Sequence, residues 1–168
     1  ALAEYKGGKE GISYNDLLVK ALGKAICSYP KVLTQFVNGR AVKKESVDIG
    51  LAVAVDEGLV VPVIRNVDQL SLKEIAEERK KLVKAARNAE LQPDQMGDAA
   101  ATLTNLGQQN VDCFTPILNS PETVILGVGR MQTVPWVEEE KITIAKTMGF
   151  SLTFDHQVID GKDAADFL

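Results

Sequence analysis

Apolar residues recur at three- and four-residue spacing in two stretches of the chain, and they alternate or run together in several shorter ones. The first helical stretch follows Ser13: Leu17, Leu18, Ala21, Leu22, Ala25 and Ile26 share a face, Asp16 lies in the first turn, and Pro30 stops the run. The second opens on Ser71-Leu72-Lys73-Glu74, a capping box, and carries Leu72, Ile75, Ala76, Leu82, Val83 and Ala86 on one side. Glu77, Glu78, Lys80, Lys81 and Lys84 fall mostly on the other side as a solvated face, where the spacing predicts a Glu77–Lys81 pair. Gln92-Pro93-Asp94-Gln95 ends this helix and starts a further single turn.

The shorter patterns predict strands. Asn38-Gly39 is a hairpin turn between Phe36-Val37 and Ala41-Val42. Val47 to Val55 and Leu59 to Ile64 are rich in β-branched residues and are joined across Asp56-Glu57-Gly58, one of them buried on both faces. Pro62 removes a ladder donor, which calls for a sheet edge or a local break. Ala101 to Thr104 and Thr123 to Gly129 are further strands, separated by an irregular loop from Gln108 to Pro121. The glycines of the latter strand predict close backbone approach rather than a phosphate cradle, because no helix follows. Val134-Pro135-Trp136-Val137 and Glu138-Glu139-Glu140 form an exposed turn, after which Lys141 to Ile144 leads into the last strand. With two substantial helices and about six strands in mixed order, the expected fold class is α/β: an open mixed β-sheet with helices packed on one face. Residues Ala1 to Gly11 are polar and glycine-containing and form a linker or loop.

Bulk properties narrow the function classes. At 168 residues the chain is one domain with room for a sizeable core. Its net charge of −4, with no basic stripe, argues against nucleic acid as a partner. The apolar runs are too short for a membrane span. Cys27 and Cys113 stand far apart, which points to reduced thiols in a cytosol-like compartment. One histidine and two distant cysteines do not make a zinc site, so no metal is expected.

That histidine is His156, in Phe154-Asp155-His156-Gln157-Val158-Ile159-Asp160-Gly161. The alternating run Gly149 to Phe154 delivers it, and Asp160-Gly161 opens an Ala-rich helical run (Ala164, Ala165, Phe167, Leu168). A strand-to-helix turn is a common seat for catalytic groups, although a surface histidine followed by an aspartate fits the same eight residues. Imidazole chemistry near neutral pH has nowhere else to occur.

Six stretches in succession resemble one family. They are Asp48-Ile49-Gly50-Leu51-Ala52-Val53-Ala54, Gly58-Leu59-Val60-Val61-Pro62-Val63, Thr102-Leu103-Thr104-Asn105-Leu106-Gly107, Phe114-Thr115-Pro116-Ile117, Ile125-Leu126-Gly127-Val128-Gly129, and Asp155-His156 with Asp160-Gly161. The family is the catalytic core of the dihydrolipoamide acyltransferases of 2-oxo acid dehydrogenase complexes, related in fold to chloramphenicol acetyltransferase. The resemblance covers nearly everything from Ser13 onward.

It implies transfer of an acyl group, acetyl by the form of residues 125–129, between a dihydrolipoyl thiol on a separate swinging domain and coenzyme A. Carried over residue by residue, His156 is the general base, Asp160 its supporting carboxylate, and Thr104 the hydroxyl near the oxyanion. Asp160 then either holds the imidazole or pairs with a cation that shapes the loop. Gly161 is expected to permit a tight turn closed to other residues. The family further implies homotrimers with active sites between subunits, assembled into a larger core that works with lipoyl domains, the decarboxylase and dihydrolipoamide dehydrogenase. The setting would be cytoplasmic, or the mitochondrial matrix in a eukaryote. By the same resemblance residues 1–168 are expected to be an acyltransferase catalytic domain truncated at both ends.

This chain departs from the family at Gln157, where an arginine is usual, at Asp98, Ala99 and Ala101, which replace a glycine pair and an aromatic, and at Leu33. Two alternatives remain beside the acyltransferase. One is a non-catalytic structural core protein; the other is a coenzyme A-dependent acyltransferase with an alcohol or amine acceptor, against which residues 58–63 and 104–107 argue.

Overall fold

The computed structural model describes residues 11–168, so the expected linker lies outside the described residues except for Gly11. Ser13 begins helix α1 (Tyr14–Ser28), and Asp16 closes its first turn by accepting from the Ser13 amide at 2.6 Å and the Ser13 hydroxyl at 2.8 Å. The buried face is rotated slightly from the expected one: Leu18, Val19, Leu22, Gly23 and Ile26 are covered, while Ala21 is exposed. A 3₁₀ turn over Pro30–Leu33 leads to the hairpin of β1 (Thr34–Val37) and β2 (Arg40–Lys43). Its two turn residues, Asn38 and Gly39, have φ of 51° and 75°, the left-handed pair that matches strand twist.

The two expected long strands are each broken. β3 (Ile49–Leu51) and β6 (Val63–Ile64) pair in the main sheet, whereas β4 (Val53–Val55) and β5 (Gly58–Val60) form a separate two-stranded ribbon. The break falls at Ala52 and at Val61-Pro62, and β6 is an edge strand, so both consequences expected of Pro62 are realised. β3 is buried along its whole length.

Helix α2 (Leu72–Arg87) starts at the expected cap, with Ser71 Oγ accepting from the Glu74 amide and the Glu74 carboxylate accepting from the Ser71 amide at 2.8 Å. Ile75, Ala76, Leu82 and Ala86 are its buried positions. Lys81 pairs with Glu78 at 3.2 Å rather than with Glu77, as three-residue spacing on a helix also allows. The helices α1 and α2 are clasped by a buried ion pair: Arg79 Nε donates to Asp16 Oδ1 at 2.6 Å, and Asp16 is fully buried.

The main sheet runs β6-β3-β7-β8-β9, with β7 (Ala101–Asn105), β8 (Val124–Glu138) and β9 (Lys141–Phe154). β3, β7 and β8 are parallel neighbours, and the outer strands β6 and β9 run antiparallel to them. β8 and β9 are much longer than expected. Val134 to Glu138, expected as an exposed turn, continues β8 in register with Lys141 to Ala145 across a bulge near Met131, and the turn is Glu139-Glu140. The glycines of β8 do mark close approach: a methyl group on Gly129 would stand 2.0 Å from the Asp112 carbonyl oxygen. Val19, Ile26, Ile49, Ile64, Ile75, Val124 and Val128 have no exposed surface and form the core between sheet and helices.

Candidate active site

β9 ends at Phe154, opposite Val124 at the start of β8, and the chain turns there. Asp155 shapes the turn. Its amide donates to the Thr123 carbonyl at 2.8 Å, its carbonyl accepts from Val158 and Ile159, and its side chain accepts from the Gln157 amide at 2.9 Å. The last contact is a side-chain-closed turn, for which the Asp-x-Gln spacing at 155–157 is the sequence signal. Ile159 is buried and anchors the far side. His156 therefore projects from a turn tied down at both ends. It is exposed, and its ring lies 5.4 Å from that of Phe154, tilted by 45°.

Within the chain Asp160 has a capping task, beside the two roles expected of it. It is the N-cap of helix α3 (Gly161–Phe167), where its carboxylate accepts from the Asp163 amide at 2.9 Å while Asp163 reaches back to the Asp160 amide at 3.5 Å. Two lysines lie in this neighbourhood: Lys31, from the 3₁₀ turn after α1, pairs with Asp163 at 2.5 Å rather than with Asp160, and Lys162 of α3 pairs with Asp166. Lys31 holds the Asp163 carboxyl below the usual carboxylate range, and Asp163, helped by Asp160, holds the Lys31 ammonium above its usual value. Gly161 has open space around it and no left-handed backbone, so the tight turn expected there is absent; it is simply the first helical residue.

Thr104 sits near the other end of the sheet. It is half-buried on β7, level with Gly127 of β8 and Ser151 of β9. The following Asn105 bends the chain out of the strand by accepting from the Gly107 amide at 2.8 Å and donating to Asn15 Oδ1 at 2.7 Å. Thr104 and Asn105 line an open cavity of about 840 Å³, with Arg79, Arg87 and Arg130 on its walls. His156 is not part of that lining.

The register explains why. Phe154 is three residues beyond Ser151 and two strands away from β7. At roughly 3.3 Å per residue and 4.8 Å per strand, its Cα is on the order of 14 Å from that of Thr104, and His156 lies two residues further along the chain, in the turn. Within one chain His156 lies four residues before the cap of α3 and apart from Thr104.

The chain was compared with known proteins. Residues 2–168 match the model of the 2-oxoacid dehydrogenases acyltransferase (catalytic domain). The dihydrolipoyllysine-residue acetyltransferase component of the pyruvate dehydrogenase complex from Zymomonas mobilis is 36% identical over 157 residues, covering 94% of this chain and 36% of that protein. The chain thus spans about a third of the length of the curated relatives it matches. Among solved structures, the cubic core of a pyruvate dehydrogenase multienzyme complex superposes with a TM-score of 0.89 at 37% identity, over 93% of this chain and 65% of that one. Dihydrolipoamide acetyltransferase from Azotobacter vinelandii, whose structure addresses the role of a serine, a histidine and an asparagine in its catalytic mechanism, gives 0.88 at 39% identity, with the same two coverages of 93% and 65%. Chloramphenicol acetyltransferase shares the fold, with a TM-score of 0.56 at 17% identity over 92% of this chain and 74% of that one. Matched along nearly its whole length in sequence and in backbone, the chain belongs to the 2-oxoacid dehydrogenase acyltransferase family, in its catalytic domain.

Proposed function

We propose that this chain forms the acyl-transferring core of a 2-oxo acid dehydrogenase complex, moving an acetyl group between a dihydrolipoyl thiol and coenzyme A, with His156 as general base. The observation that carries the reading is the seat of His156: exposed, on a turn fixed by Asp155 and Ile159, at the end of a strand. A separation supports it too. In the Azotobacter relative the named serine precedes the histidine by 52 residues and the asparagine follows it by 4; Thr104 and Asp160 stand at those separations from His156.

The chemistry suits an imidazole. A free thiol ionises near pKa 8.5, about two units above histidine, so waiting for the thiolate is uphill by roughly 2.7 kcal/mol. His156 takes the thiol proton as sulfur attacks the thioester carbonyl. The carbonyl oxygen becomes an oxyanion, which the Thr104 hydroxyl stabilises by donating to it. Collapse of the tetrahedral species expels the other sulfur, and the imidazolium returns its proton to that thiolate.

The family resemblance implies that the Thr104 serving a given His156 belongs to a neighbouring copy, and the separation of the two residues within one chain supports this. We assign the chain to homotrimers with sites between subunits, assembled into a larger core on which lipoyl domains, the decarboxylase and dihydrolipoamide dehydrogenase act. The free, exposed Cys27 and Cys113 favour a reducing setting, the cytoplasm or the mitochondrial matrix.

The test is acetyl transfer from acetyl-CoA to dihydrolipoamide by the assembled protein. His156→Ala lowers kcat by at least 1,000-fold and Thr104→Ala by about 100-fold, in line with loss of a base and of an oxyanion donor. In mixed assemblies of the two variants, activity reappears, because some sites then combine an intact His156 with an intact Thr104. An active His156→Ala protein defeats the reading, and an inactive wild type favours the structural core protein instead.

A further inference from the structure

Just before β8 stands a buried acid that the proposed chemistry does not use. Glu122 is 3% exposed, and the neighbouring Thr123 is fully buried. One carboxyl oxygen of Glu122 accepts from Asn119 Nδ2 at 2.7 Å. The other, Oε2, has no partner among the described residues, and neither has the hydroxyl of Thr102, which is 1% exposed on the adjacent strand β7. The two orphaned atoms belong to side chains that act on one another: the Thr102 hydroxyl, with the Asn119 amide, offsets part of the effect of burial on the acid. Burial is the larger effect, and it pushes the Glu122 carboxyl above its ordinary range.

We propose that Glu122 is a positioning residue held as the neutral acid, its hydroxyl donating to Thr102 Oγ1 and so tying β8 to β7 beneath the turn that carries His156. This single proton satisfies both orphaned atoms, whereas a carboxylate would leave a buried charge that no cation among the described residues meets. Among the described residues, the groups that meet it include no such cation. β7 offers Thr102, the preceding loop Asn119, and β1 Thr34, whose carbonyl accepts from the Thr123 hydroxyl, and Gln35, whose amide donates to the Ala99 carbonyl at 2.7 Å. The turn itself brings Asp155, which reaches this strand through its amide on the Thr123 carbonyl, 2.8 Å away. Glu122 thus sits one residue from the bond that seats the His156 turn.

The sign of the pH dependence follows. A carboxyl whose folded pKa is raised contributes stability that is complete below the unfolded value near 4.3 and is lost as pH rises through the folded value. Glutamine at this position keeps the shape, supplies a donor to Thr102, and cannot ionise.

The experiment compares wild type, Glu122→Gln and Glu122→Ala in the full-length protein. Thermal unfolding midpoints are read from pH 5 to 9, and kcat and KM by the acetyl-transfer assay. Glu122→Gln should come nearest to wild type at pH 5, exceed it at higher pH until the wild-type carboxyl has ionised, and keep kcat within threefold. Glu122→Ala should lose at least tenfold in kcat with KM unchanged, the sign of a displaced His156 rather than of lost substrate binding. Parallel melting profiles for wild type and Glu122→Gln, or a Glu122→Gln as impaired as Glu122→Ala, overturn the proposal. Should Glu122→Ala fail to fold, Thr102→Val alone and combined with Glu122→Gln decides: non-additive midpoints support the bond and additive ones refute it. The kcat arm rests on the proposed acyl transfer, but the melting arm does not, so an inactive wild type would sink that reading while leaving this one to its own result.

Discussion

Replacing Asp160 by asparagine or by alanine separates two roles for its carboxylate. In the structure that carboxylate accepts from the Asp163 amide and caps α3, which docks through Ala164 and Phe167, the latter edge-on to Tyr29 with ring centroids 6.2 Å apart. An N-cap Asp-to-Ala change costs about 1 kcal/mol, and Asn caps as well as Asp does. Since 1.4 kcal/mol is a factor of ten, alanine lowers the docked population of α3 by about fivefold at most, and less where docking is far from its midpoint. Were the carboxylate instead to hold the imidazole, as in serine hydrolase triads, asparagine would cost on the order of 10⁴ in kcat. The expected result in the acetyl-transfer assay is a kcat within about threefold of wild type for Asp160→Asn and a loss below tenfold for Asp160→Ala, with a lowered melting midpoint only in the latter. A 100-fold or greater fall in kcat for Asp160→Asn, at unchanged melting, would refute the capping role.

Two further changes test the frame around the site. Asp16→Ala strands Arg79, which is mostly covered, so it should cost about 3 kcal/mol or more in urea unfolding; a loss below 1 kcal/mol would mean that the clasp between α1 and α2 contributes little. Gly129→Ala places a methyl group against the Asp112 backbone, and Gly161→Ala meets open space. The first should lower the melting midpoint by roughly 5–10 °C and the second leave it unchanged or raised, and equal effects would contradict the close approach.

Local chemistry made much of this fold legible. Ser13 and Ser71 announced their helices, Asn38-Gly39 its hairpin, and Pro62 its break, because each acts through backbone geometry over a few residues. The β8–β9 hairpin was hidden for the same reason reversed. Pro135 suggested a turn, yet it pairs with Ile144 where β8 has β9 as its one neighbour, and edge strands tolerate proline. The true turn uses Glu139 and Glu140 at φ of 48° and 64°, residues that give no hairpin signal. His156, Asp160 and Thr104 were put forward as site residues through the family's motifs. What spacing could not express was the third dimension: that Asp160 faces its own helix, that Lys31 arrives from a distant turn, and that Thr104 lies at the far end of the sheet. Glu122 offered no signal at all, since its burial is a property of the assembled strands.

The hairpin gives β9 an unusual span. Its 14 residues reach roughly 46 Å, from a tip where Trp136, Val137, Ile142 and Ile144 are more than half exposed to the turn bearing His156. A stiff, hydrogen-bonded rod of that length behaves as a boom. Its outer end offers apolar surface for packing, while its inner end is held in the five-stranded sheet and leads into the turn bearing His156.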